Sequence, residues 1–139
     1  MLNMSLTEMA GKTVAELEEY TKAKAAAWMN SAIGSSNWAY INTYNSDINT
    51  DWYRIILRVG FIDADRDGVF DVWEEFDYHW WYQTSTGNWA DKLAHLPSEY
   101  CLGTDALNPA NIEWLNGGLS YNSGGVFYQI RDMRNVAWS

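Results

Sequence analysis

The sequence predicts an α+β fold that is mainly helical, with a long N-terminal helix, one acidic loop at its centre and a small C-terminal antiparallel hairpin. Three observations point that way. An amphipathic stretch runs from Thr13 to Ile33; seven carboxylates lie between Asp63 and Asp77 against Arg66 alone; and Asn/Gly clusters punctuate the C-terminal third. At 139 residues the chain has the size of one domain, and residues 1–139 are read as a single unit.

Taken in order, the first element is the helix of residues 13–33. Thr13 and Glu16 have capping-box spacing, Val14, Leu17, Thr21 and Trp28 follow one face, Glu18 and Lys22 form an i,i+4 pair, and Gly34 supplies a stop. Residues 35–51 (SSNWAYINTYNSDINTD) are rich in Ser, Asn and Thr and suit an ordered loop. From Trp52 to Ile62 both periods fit. Arg54 and Arg58 share a helical face, while the β-branched content and Gly60 suit a strand. Val72 to Gln83 reads as a helix leaving the acidic loop, with Ala90 to Leu96 as a further one. Pro97 can open a short helix ending near Gly103, and Asn108-Pro109 can open another that reaches Leu115. Leu119–Tyr121 and Val126–Arg131, joined by Asn122-Ser123-Gly124-Gly125, form the best hairpin candidate, at about residues 119–131.

The charge is more informative in its distribution than in its size. Of the net -9, -6 falls between Asp63 and Asp77. Carboxylates packed that densely repel unless a cation sits among them. No Lys/Arg cluster exists to bind a phosphate backbone, so nucleic acid and anionic membranes are poor partners. Nine Trp, nine Tyr and four Phe argue for a packed core and against disorder. Cys101 is the only cysteine and excludes an intrachain disulfide; with no nearby basic residue to activate it, it reads as a buried structural thiol. No apolar run approaches the ~18 residues of a membrane span, and MLNMSLTEMAGK lacks the apolar core of a secretion signal. Either the chain is cytosolic, or a leader has been removed, or it is a piece of something longer.

The segment from Asp63 to Glu74, DADRDGVFDVWE, places carboxylates at positions 1, 3, 5, 9 and 12 and glycine at position 6. Calcium takes about six to eight oxygen ligands at roughly 2.3–2.6 Å, and this spacing supplies them from one short loop. Asp63, Asp65 and Asp67 are each expected to give a side-chain oxygen, Val69 its backbone carbonyl, Asp71 a direct or water-mediated contact, and Glu74 two oxygens. Gly68 permits the turn that brings the second half of the loop round the ion, and Phe70 at position 8 ties the loop to its neighbour or core. One Ca2+ is the expected cofactor; Mg2+ prefers tighter octahedral sites and keeps more of its waters.

The stretch FIDADRDGVFDVWEEFDY, followed after a spacer by EYCLGTDALNPAN, resembles the calcium-binding thrombospondin type 3-like repeats of bacterial extracellular proteins. Asp63, Asp65, Asp67, Asp71, Glu74 and Trp73 match the first, EF-hand-like loop of such repeats. Glu99-Tyr100, Gly103-Thr104-Asp105 and Asn108-Pro109 match the segment that trails them. Where a second aspartate loop would stand, this chain has NWADKLAHLPS with Asp91 as its only carboxylate, so one ion is expected. The resemblance implies an extracellular or cell-surface protein whose fold calcium rigidifies. An intracellular sensor would pair two loops around a Met-lined groove, and here there is one loop with scattered methionines.

Nothing points to catalysis. His79 and His95 are in no metal-binding spacing, Gly-x-Ser-x-Gly is absent, and Glu74 of the adjacent pair Glu74–Glu75 is claimed by the ion. Tyr78, Trp80, Trp81 and Tyr82 crowd together with Trp73 just after the loop. They are read first as core, and otherwise as a surface for a protein partner, a second copy of the chain in a surface assembly, or a sugar ring.

Overall fold

The computed structural model describes residues 2–83, 87, 89–91, 99–100, 109, 115–116, 119–120 and 123–131. A six-stranded sheet, antiparallel at every junction, runs in the order β1 (Trp38–Ile41), β8 (Val126–Arg131), β2 (Trp52–Phe61), β3 (Phe76–Gln83), β4 (Trp89–Asp91), β5 (Glu99–Tyr100). A separate two-stranded ribbon joins β6 (Leu115–Asn116) to β7 (Leu119–Ser120). The mainly helical expectation is therefore corrected. Beyond the single turn of α1 (Leu6–Met9), α2 (Val14–Ala32) is the only α-helix among the described residues. No helix among them is long and apolar enough to cross a membrane.

α2 forms where its capping box and single apolar stripe place it. Glu16 N–H donates to Thr13 Oγ1 at 3.3 Å, and Glu16 Oε1 accepts the Thr13 N–H at 3.1 Å. The Thr13 N–H and then the Thr13 hydroxyl, both donating to Glu16 Oε1, hold the Glu16 carboxyl below its ordinary range. Leu17, Thr21, Ala25 and Met29 form the buried i,i+4 stripe. Ala25, Met29 and Ile33 pack on Ile55, Leu57, Val126, Tyr128 and Ile130, while Leu17 joins Met9, Val59 and Phe70 in a second cluster.

The remaining expected helices are corrected to strands. Residues 76–83 (FDYHWWYQ) pair with β2 from Phe61↔Phe76 to Ile55↔Tyr82. Their aromatic side chains suit a pleated surface buried on both sides, where polar alternation vanishes and periodicity misleads. Tyr78, Trp80 and Tyr82 meet the helix layer, whereas Trp81 is buried on the opposite face with Ile56 and Trp89. The same two-sided burial settles Trp52–Phe61 as a strand. Within the expected loop of residues 35–51, Trp38–Ile41 is a strand, recruited by pairing with β8. Ala90 and Asp91, in the strand Trp89–Asp91, and Glu99–Tyr100 are in strands where helices were expected, and Leu115 is in a strand where a helix was expected to end. What else was expected of the segments 92–98, 101–108 and 110–114 lies outside the described residues.

The C-terminal hairpin also needs correcting. β8 exists, but its partners are β2 and β1; β7 pairs with β6. Gly125 shows why the chain enters β8 as it does. At φ 91 it occupies left-handed backbone, and an added Cβ would collide with Ile56 Cδ1. Its N–H donates to Glu18 Oε2 at 2.8 Å, tying β8 to α2.

Candidate metal centre

The acidic loop spans the tip of the β2–β3 hairpin, whose base closes where Ile62 N–H donates to the Glu75 carbonyl at 2.9 Å. The expected exiting helix is absent. Glu74 leads directly into β3, because the aromatic strand gains a full register of pairing with β2. Strands, and not helices, present the carboxylates.

Two left-handed positions fold the loop on itself: Arg66 at φ 56 and Gly68 at φ 81. Asp63 Oδ2 accepts the Gly68 N–H at 2.8 Å, and Asp67 Oδ1 accepts the Val69 N–H at 3.1 Å. Glu74 is buried and staples the two ends: Oε2 accepts from Ala64 at 2.7 Å and Oε1 from Asp71 at 2.8 Å. Its two oxygens keep further lone pairs for an ion.

The ligating atoms of Asp63, Asp65 and Glu74 lie within 4.8 Å of one another, and so do those of Asp65, Asp67 and Asp71. Asp65 belongs to both groups and links the two halves of the loop. These acidic groups could hold a metal ion. Two features show that the arrangement suits a cation. Asp63 Oδ1 is buried without a hydrogen-bond partner, a costly state for a carboxylate oxygen. Asp71 is pushed up to about 6 by its hydrogen bond with Asp65, then by burial and the charges of Asp67, Asp65 and Glu74. Arg66 alone among these residues is cationic, and a bound ion would relieve the crowding.

Sequence reasoning missed the way the loop is anchored. Phe70 is fully buried against Met9, Leu17 and Val59, and edge-on to Phe61 and Phe76 at 5.9 Å each. Its backbone makes two bonds to the α1–α2 turn: Phe70 N–H to the Lys12 carbonyl and Gly11 N–H to the Phe70 carbonyl, both 2.8 Å. A neighbour for position 8 was expected, but nothing in residues 10–12 signals a partner some sixty residues away. The aromatic cluster divides as well. Trp81 is buried beside His79, their rings 4.8 Å apart, whereas Trp73 stands 64% exposed on the loop. In the segment matching the trailing part of the repeat, Glu99–Tyr100 forms β5; Cys101 and Gly103-Thr104-Asp105 lie outside the described residues. No family model matches this chain, and comparison with curated proteins and with solved structures gives no significant match.

Proposed function

We propose that the loop binds one calcium ion and that the ion stabilises the fold, without acting as a sensor. Asp63, Asp65, Asp67, Asp71 and Glu74 would supply side-chain oxygens and Val69 its carbonyl. The observation that carries the reading is the buried, unpartnered Asp63 Oδ1 in a residue whose carboxylate is grouped with those of Asp65 and Glu74. Calcium sensing works by swinging two helices apart. The elements flanking this loop are hydrogen-bonded strands in register from Ile55 to Phe61, which cannot swing without breaking the sheet. An ion here adds stability by binding the native loop in preference to the unfolded chain. The thrombospondin type 3-like resemblance supports an extracellular or cell-surface setting, where calcium modules work at about 10⁻⁴–10⁻³ M.

Thermal melts in calcium and in EDTA test this directly. A hundredfold excess of calcium over its Kd adds about 2.7 kcal/mol, on the order of 10 °C in Tm for a chain of this size. Asp63→Ala should abolish the difference. Superimposable melts, or calorimetry showing no calcium heat, would refute the assignment.

A second reading, self-association, is favoured by β1. It ends the strand order, so its outer edge has no strand partner among the described residues, and Tyr40 on it is exposed. Light scattering across protein concentration tests it; a monomer at every concentration removes it.

A further inference from the structure

Val72 and Trp73 are adjacent, large, apolar and exposed, at 53% and 64%, in a chain that buries Trp81 and Trp89 completely. They occupy the corner of a tight turn closed twice. Glu74 N–H donates to the Asp71 carbonyl at 2.9 Å, and Asp71 N–H donates to Glu74 Oε1 at 2.8 Å. The indole is therefore carried on backbone fixed by two of the proposed calcium ligands. Such a preformed platform costs little ordering on binding.

Size and charge narrow what it can receive. A Trp side chain offers up to ~250 Å², so the exposed share is on the order of 160 Å². That is far below the ~800 Å² each partner contributes to a stable protein interface, and matches the face of one pyranose ring. The surrounding segment carries -6, and one divalent ion leaves it still negative, so anionic glycans and anionic lipid headgroups are repelled. A neutral sugar is not. Its C–H face stacks on an indole, and its hydroxyls donate to carboxylates, of which Glu75 is the exposed one next in sequence.

We infer that the Val72–Trp73 turn is a calcium-dependent platform for neutral saccharide rings. The inference rests on the calcium reading, because the ion would hold Asp71 and Glu74, and with them the turn. Calorimetry with cellohexaose, maltohexaose and chitohexaose in calcium is the experiment, with Trp73→Ala and Trp73→Phe as variants. At least one hexaose should bind at about millimolar Kd, with Trp73→Ala weakening it about tenfold or more and Trp73→Phe less. Trp73→Ala should keep the wild-type calcium heat and Tm, since Trp73 is no ligand. EDTA should remove the sugar heat. The proposal is overturned by no heat from any of the three at about 10 mM, by wild-type affinity in Trp73→Ala, or by sugar binding undiminished in EDTA. It is equally overturned if Trp73→Ala instead abolishes sedimentation with phosphatidylcholine vesicles or lowers the oligomeric mass. A calcium titration without sugar reports separately on the ion, so failure of that reading is distinguishable.

Discussion

Asp71 shows how single carboxylates set the behaviour of the loop. Its pKa, raised from 3.8 to about 6, means that the native loop retains a proton the unfolded chain has already lost. The sign follows: without calcium, this group's contribution to stability declines as pH rises from about 4 through about 6. On the proposed reading, calcium would reverse the balance, since coordination by these carboxylates would expel the proton that Asp71 shares with Asp65. Melts in EDTA should therefore show this loss of stability over that window, while calcium affinity measured by calorimetry rises across it. Asp71→Asn should flatten the EDTA trend. An EDTA profile unaffected by the substitution would show that the crowding lies elsewhere.

The elements differ in how far local sequence determined them. The acidic grouping was legible because Asp63, Asp65, Asp67, Asp71 and Glu74 lie within twelve consecutive residues, and α2 because its cap and stripe are local too. β3 was not, since its aromatics are buried on two faces and its strand identity comes from pairing with β2. The partners of β8 were equally hidden: turn residues announce a reversal, and long-range packing decides which strand lies alongside. The bridge from Phe70 to Gly11 and Lys12 belongs to the same class. It predicts that the loop and the α1–α2 turn are stabilised together. Phe70→Ala should cost about 3–5 kcal/mol in urea denaturation and weaken calcium binding, because the cavity loosens the loop's anchor. Hydrogen exchange supplies an independent check. The amides of Gly11 and Phe70 should be protected in calcium and exchange faster in EDTA; equal protection in both would show the bridge standing without the ion.

In the molecule as a whole, the sheet separates two regions held by different means. The helix side joins α2, the N-terminal turn and the carboxylate loop through Leu17, Met9, Val59 and Phe70. On the other side, buried Arg58 donates from Nε to the Ser123 carbonyl at 3.2 Å and from Nη1 to the Pro109 carbonyl at 2.8 Å, with its guanidinium 5.7 Å from the Trp81 ring centre. One charged fork thus clasps two distant segments to the back of the sheet. Arg58 lies five residues before Asp63 along an extended chain, about 16 Å away, a separation at which stability effects usually add. Arg58→Ala removes the charged donor from two carbonyls and should cost about 2–5 kcal/mol. That loss should be the same in calcium and in EDTA to within about 0.5 kcal/mol, whereas Phe70→Ala should cost more when calcium is present. Urea denaturation of wild type, Arg58→Ala and the milder Arg58→Lys under both conditions makes the comparison. If the Arg58 penalty shrinks by more than about 1 kcal/mol on chelation, the two faces are coupled through β2, and the ion stabilises the whole sheet instead of one side of it.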